Sequence, residues 1–236
     1  MKAAYLAYIF VTHVHLDHAG GAGHLAAAHP EATIVCHPRA ARHLADPRRL
    51  IESVPAASPN LFPLYGEPIP IPEERIHPAE DGEVFQLGDG IALHVVHSPG
   101  HAPHHTCFFE SSHRVLFAGD AVGSYDTSIP CPLTVPPRYD VAAGSTTLSR
   151  LARLRSQRIA FTHFGIAGNP VARIEAYASA VVRWLESIDQ LRNSGLPDDA
   201  VVSRVLKNPA FSRVDAIGRD QIAVCARGAL ATLAEQ

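Results

Sequence analysis

Lysine is almost missing from this chain of 236 residues: Lys2 and Lys207 are the only two, and arginine supplies the remaining positive charge. There is no Lys/Arg-rich run, and the formal net charge is -3. Nucleic acid is therefore excluded as the expected partner, because its phosphates demand a basic face. No apolar run approaches the length needed to cross a bilayer, so no membrane association is expected. The apolar stretch from Ala3 to Val11 behind Lys2 imitates a short signal peptide, but no small-residue cleavage site follows it. A CxxC pair is also lacking. The cysteines Cys36, Cys107, Cys131 and Cys225 are scattered, and three lie in apolar runs where buried thiols are common. They read as reduced thiols, consistent with a cytoplasmic location.

Apolar residues make up 47% of the chain and charged residues 18%, an ordinary balance for a globular protein with a real core. Leu6 to Val11 reads as a strand buried on both faces. Glycines 20, 21 and 23 then lead into a helix ended by Pro30. A short strand over Thr33 to His37 follows, and Pro38 opens a helix through Leu44. The proline-rich stretch from Asp46 to Pro72, with Leu61, Phe62 and Tyr65, reads as an irregular ordered flap. Strands are expected at Ile91 to His97, Thr106 to Phe109 and Arg114 to Ala118, separated by turn residues. A helix near Tyr139 to Leu154 and a buried strand at Ile159 to Thr162 complete an α/β layered pattern. Beyond Pro170, apolar residues at spacings of three and four predict helices, which Gly195-Leu196-Pro197 interrupts. The expected organisation is one domain over residues 1–169, with a helical extension over 170–236 packed on it. The apolar stripe of that extension could instead serve a homodimer interface.

The chemistry concentrates in His13-Val14-His15-Leu16-Asp17-His18, directly after the first strand. Side chains at i and i+2 of an extended segment point the same way, so His13 and His15 can grip one metal ion. Asp17 and His18 sit where the chain turns into the glycine-rich helix start and can face a second. Crowding imidazoles and a carboxylate at a strand end costs solvation unless they bind something. His101 follows the strand ending at His97, Asp120 follows Phe117-Ala118-Gly119, and His163 follows the strand ending at Thr162. Each is a metal-type ligand at the carboxyl end of an apolar strand, the edge where sites in α/β sheets gather. His104 and His105 could support the site or touch substrate, and Tyr125 could donate a hydrogen bond to a substrate oxygen.

With HxHxDH followed by a distant His, an Asp and a final His, the sequence resembles the metallo-β-lactamase superfamily over roughly Leu6 to Gly165. The resemblance implies an α/β fold, an αββα sandwich with C-terminal helices. It assigns His13, His15 and His101 to one metal, Asp17, His18 and His163 to a second, and Asp120 as a bridge. Only twelve residues precede His13, fewer than the family pattern implies, so an N-terminally truncated sandwich with an unpaired strand edge is expected. Class B β-lactamases usually lack a metal-binding His at the position of His18 and often carry Cys at that of Asp120. The set here is more similar to the glyoxalase II, lactonase and thioesterase branches.

The resulting expectation is a hydrolase with two zinc ions, iron or manganese being the alternatives, acting on an ester, thioester or lactone of a small-molecule substrate. A hydroxide bridging ions about 3.5–4 Å apart would be the nucleophile, and Asp17 the general base. Two other readings stay open. His13, His101 and Asp120 could hold a single iron, as in persulfide dioxygenases, or the chain could be a metal-binding remnant without activity.

Overall fold

The computed structural model describes residues 6–57, 62–125, 131–163 and 165–235. Leu61 and the residues before Leu6 lie outside them. Two sheets form the centre. The first is three-stranded and parallel, in the order β1 (Tyr8–Phe10), β2 (Thr33–Cys36), β3 (Ile76–Pro78). The second is six-stranded and runs in sequence order through β4 (Val84–Gln86), β5 (Ala92–His97), β6 (Thr106–Glu110), β7 (Val115–Phe117), β8 (Arg158–Phe161) and β9 (Gly165–Ala167). Its neighbours are antiparallel except β7 and β8, which are parallel because α5 (Val141–Arg153) lies in the crossover between them.

The alternation of side chains along each strand builds the layers. In β2, Ile34 and Cys36 face a cluster with Ala22 and Ala26 of α2 (Ala22–Ala28) and Ala40 and Leu44 of α3 (Pro38–Ala45). Val35 between them points the other way, into the seam shared with Phe85, Leu93, Val95 and Phe108 of the second sheet. Phe10 closes this seam edge-on against Phe85 and Phe108, each centroid 5.2 Å away, a favoured geometry for the ring quadrupoles. On the outer face of the second sheet, Val96, Cys107, Leu116 and Ile159 pack with Leu148 and Leu151 of α5 and with Ile174 of α6 (Pro170–Arg192). Helix, sheet, sheet, helix is the αββα order. A separate cluster joins α6 to α7 (Asp198–Leu206) and α8 (Ala216–Leu233), and takes in Leu133 and Tyr139 of the segment before α5.

Three expectations need correction. The first strand is not buried on both faces: Tyr8 is 37% exposed, and β1 has β2 as its sheet neighbour on one side. The glycine-rich helix is two pieces, α1 (Leu16–Ala19) and α2. The proline-rich flap contains a regular helix, α4 (Arg48–Ala57), and a 3-10 turn at Phe62–Leu64. The four cysteines are free thiols, as expected. Among the described residues, no helix is long and apolar enough to cross a membrane.

Arg75 ties the first sheet to its helices. Its guanidinium donates to the carbonyls of Ala26, His29 and Ala32 at 2.7–2.8 Å, at the C-terminal end of α2 and the turn beyond. Such carbonyls have no partner inside the helix. Arg75→Ala should lower the unfolding free energy by about 2–4 kcal/mol, since bonds to a charged donor are lost and acceptors are orphaned. Urea midpoints of the two proteins measure it.

Candidate metal centre

β1 delivers the first ligand-type residues. Val11 N–H donates to the Val35 carbonyl, and Thr106 N–H donates to the Thr12 carbonyl, so the extended segment after β1 is stitched to both sheets. The period of two then aims His13 and His15 into the same space, with His13 Nε2 2.9 Å from His15 Nδ1. α1 starts at Leu16 and turns Asp17 and His18 toward the opposite side of that space. His101 follows Gly100, whose φ of +140 and lack of a Cβ let the loop touch Gly144 of α5; a Cβ there would lie 2.5 Å from the Gly144 Cα. The His101 Nδ1–H donates to the Leu133 carbonyl at 2.7 Å, leaving Nε2 as the free lone pair, 3.0 Å from His15 Nδ1.

Asp120 stands at the centre. Its Oδ2 lies 3.8 Å from His13 Nε2, 3.4 Å from His101 Nε2 and 3.3 Å from His18 Nε2, and its Oδ1 lies 3.5 Å from His163 Nε2. Asp17 Oδ2 closes the second group, 3.3 Å from His18 Nε2 and 3.7 Å from His163 Nε2. The seven residues therefore converge as two groups, His13/His15/His101/Asp120 and Asp17/His18/His163, within each of which the donor atoms lie within 4.8 Å of one another. Zinc with bonds of about 2.0–2.1 Å needs tetrahedral donor separations of about 3.3 Å, and the observed separations bracket that value.

The electrostatics agree with a cation site. Burial, helped by the neighbouring imidazoles of His15 and His18, pushes His13 well below the ordinary histidine range, and burial with His101 takes His15 to about 3. His101 is lowered by burial too. These rings are neutral, as ligands must be. Burial opposes charge on Asp120, yet contacts from His163 and His18 outweigh it and hold the carboxyl well below its usual range. Burial likewise opposes charge on His18, but the Asp120 and Asp17 carboxylates lift it to about 10. In the absence of a metal, a proton on His18 is thus the local counter-charge. Among the described residues, both ring nitrogens of His18 and Oδ1 of Asp120 are buried without a hydrogen-bond partner, which is costly unless another group satisfies them. The residues present fit divalent metal ions.

A cavity of about 720 Å³ lies elsewhere, lined by Arg42, His43, Arg49 and Ile71 among others and by none of the seven. Near the centre, His104 has its ring 6.0 Å from that of His15 and 6.2 Å from that of His43. Burial and nearby imidazoles lower it to about 4. Tyr125 is 40% exposed, and its backbone N–H donates to the His163 carbonyl at 3.0 Å. Tyr65 feels the Asp17 carboxylate, which adds to burial in raising its phenol to about 12. The Leu133 carbonyl escaped the sequence reading, because it has no side-chain signature; His37 caps α3, its Nδ1 accepting from Arg39 N–H at 3.0 Å.

An αββα sandwich with a His/Asp metal-binding cluster at the ends of its strands defines the class. The family model described as "Metallo-beta-lactamase superfamily" matches residues 6–163, and the chain belongs to that superfamily. It is 28% identical over 165 residues to the metallo-beta-lactamase fold-containing protein ST1585 of Sulfurisphaera tokodaii, covering 68% of this chain and 61% of that one. The crystal structure of ST1585 superposes with a TM-score of 0.72 at 24% identity, covering 96% of this chain and 80% of that one. A metallo-beta-lactamase family protein from Thermus thermophilus gives a TM-score of 0.63 at 25% identity, over 97% of this chain and 74% of that one. The atrochrysone carboxyl ACP thioesterase AacuM of Aspergillus aculeatus is 31% identical over 123 residues, 52% of this chain and 29% of its own length. The chain thus spans less than two thirds of these curated relatives.

Proposed function

We propose that this protein is a hydrolase holding two zinc ions, and that it cleaves an ester, thioester or lactone bond of a small molecule. The observation that carries the reading is Asp120, whose two carboxylate oxygens face both ligand groups at 3.3–3.8 Å. His13, His15 and His101 would hold one ion, Asp17, His18 and His163 the other, and Asp120 both. Bound in this way, divalent ions lower the pKa of water toward neutrality and polarise a carbonyl oxygen. Protein groups do the rest. The Leu133 carbonyl fixes the His101 ring, and the buried His13 and Asp120 keep bulk water away from the inner group. Asp17 lies on the open side, with its side chain 34% exposed, so the carboxylate oxygen that it does not give to the ion can take up the proton lost by the attacking water. The relative named as a thioesterase supports acyl chemistry.

Elemental analysis of the purified protein, with hydrolysis assays on esters, thioesters and lactones before and after chelation, tests the reading. Two zinc equivalents and a chelator-sensitive esterase or thioesterase activity are expected; one iron equivalent with oxygen consumption would replace it with the dioxygenase reading. Asp17→Asn keeps a ligand oxygen but removes the basic one. It should lower kcat by about 10²-fold or more while metal stays in the His13/His15/His101 group, as kinetics and metal content together will show.

A further inference from the structure

His105 is a fully buried histidine in contact with the centre that belongs to neither ligand group. Its ring centroid is 4.9 Å from that of His13. Its Nε2 cannot serve a metal, because it accepts the backbone N–H of Asp120 at 3.0 Å. The other ring nitrogen is committed as well. His105 Nδ1–H donates to Ser98 Oγ at 3.3 Å; that oxygen also accepts the Cys107 N–H at 2.7 Å, and its own proton goes to the Val96 carbonyl at 2.8 Å. Every proton along this path is assigned, so the ring is held as one tautomer. The approach is close enough to dictate the neighbouring residue. Gly119 has φ +51, and a Cβ there would lie 2.5 Å from His105 Nε2.

We infer that His105 is a positioning residue for the centre: through the Asp120 N–H, and braced by Ser98, it fixes the bridging carboxylate in the place where both ligand groups can share it. The inference rests on the reading of the seven residues as a metal site. A buried amide N–H needs an acceptor, and the turn after β7 supplies none of its own. Ala121 N–H donates to the Ala118 carbonyl and Gly123 N–H to the Asp120 carbonyl, which leaves the Asp120 N–H to His105. Groups that orient ligands in this way typically govern 10- to 100-fold in metal affinity. Bonding through a backbone amide makes the prediction atom-specific. Glutamine at this position presents an oxygen where Nε2 sits, whereas asparagine presents one only at the place of Nδ1.

The experiment is titration of chelator-treated protein with zinc and cobalt(II), following binding by calorimetry and by the cobalt absorption bands. Wild type is compared with His105→Gln, His105→Asn and His105→Ala, with near-UV circular dichroism reporting the fold. His105→Ala and His105→Asn should weaken the second equivalent by about 10- to 100-fold and change the cobalt spectrum, and His105→Gln should restore both. Equal weakening by Gln, Asn and Ala would overturn the role given to Nε2, and unchanged affinity in His105→Ala would overturn the inference outright. Wild type that binds no metal would instead defeat the parent reading. Should the variants not fold, long-range nitrogen–proton NMR of the wild-type imidazoles decides the matter. An Nδ1-protonated neutral His105 supports the inference, and an Nε2-protonated ring refutes it.

Discussion

Asp120→Ala should abolish the proposed hydrolytic activity, with kcat/KM falling by about 10³-fold or more, and should release at least one of the two proposed metal equivalents. The side chain is buried and, among the described residues, is the one carboxylate within 3.8 Å of donor atoms from His13, His18, His101 and His163. Removing it takes an anionic ligand from both groups at once. Transition-state stabilisation by a metal site is worth several kcal/mol, and each ~1.36 kcal/mol is a decade in rate, hence an effect of about three decades. Asp120→Asn is the informative companion. It keeps the shape and one oxygen but removes the charge that lifts His18 to about 10, so it should retain more metal than the alanine variant. By contrast Asp81→Ala, which loses a surface pair with Arg150 at 2.9 Å and the acceptor of the His97 N–H at 2.8 Å, should lower stability by about 1–3 kcal/mol and leave metal content alone. Elemental analysis with steady-state kinetics measures the first two, and urea midpoints with elemental analysis measure the third. Two zinc equivalents retained in Asp120→Ala would show that the bridging position does not hold metal.

Much of the centre was legible because its chemistry is written in side chains at fixed offsets. His13 and His15 needed only the period of a strand, and His101, Asp120 and His163 only the habit of placing ligands at strand ends. What was not legible depends on pairings distant along the chain. β3 and β4 are three residues each and exist as strands because β2 and β5 accept them, not because Ile76–Pro78 or Val84–Gln86 has a period of its own. α4 was hidden by composition. Prolines before, within and after it suggested an irregular flap, yet Pro47 provides the carbonyl that receives the Leu50 and Ile51 N–H groups at the helix start, where proline is well tolerated. The expectation for β1 erred in the opposite direction, because an apolar run cannot report whether packed layers cover both of its faces. The same limit hid His105. That a histidine near His101 would support the site was a fair expectation, but which of His104 and His105 does so is decided by the Asp120 amide, fifteen residues onward.

The metal-free protein should be most stable near neutral pH and lose stability on both sides, with the steeper loss in acid. His13, His15 and His105 are buried and held below the ordinary value of 6.5, His15 at about 3. A group lowered on folding contributes stability that is complete above its unfolded value and drains away as pH falls toward its folded one. At pH 5 each histidine kept neutral against an unfolded value of 6.5 costs about 2 kcal/mol. Three of them together consume a large share of the roughly 5–15 kcal/mol that holds a domain folded. His37 and His104, each lowered to about 4, act in the same direction. Asp120 gives no help in this window, because its contribution is lost only below the unfolded value of 3.8. His18 has the opposite sign. Raised to about 10, its contribution is complete below 6.5 and disappears as pH rises through 10, which makes the alkaline limb. Urea midpoints of chelator-treated protein at pH 5, 7 and 10 should therefore trace a bell. Zinc should flatten its alkaline side, since the cation then serves as counter-charge to Asp17 and Asp120 in place of the His18 proton. A midpoint that rises from pH 7 to pH 5 would mean that these imidazoles are not buried neutral in the folded protein, and the ligand cluster as described would not exist in solution.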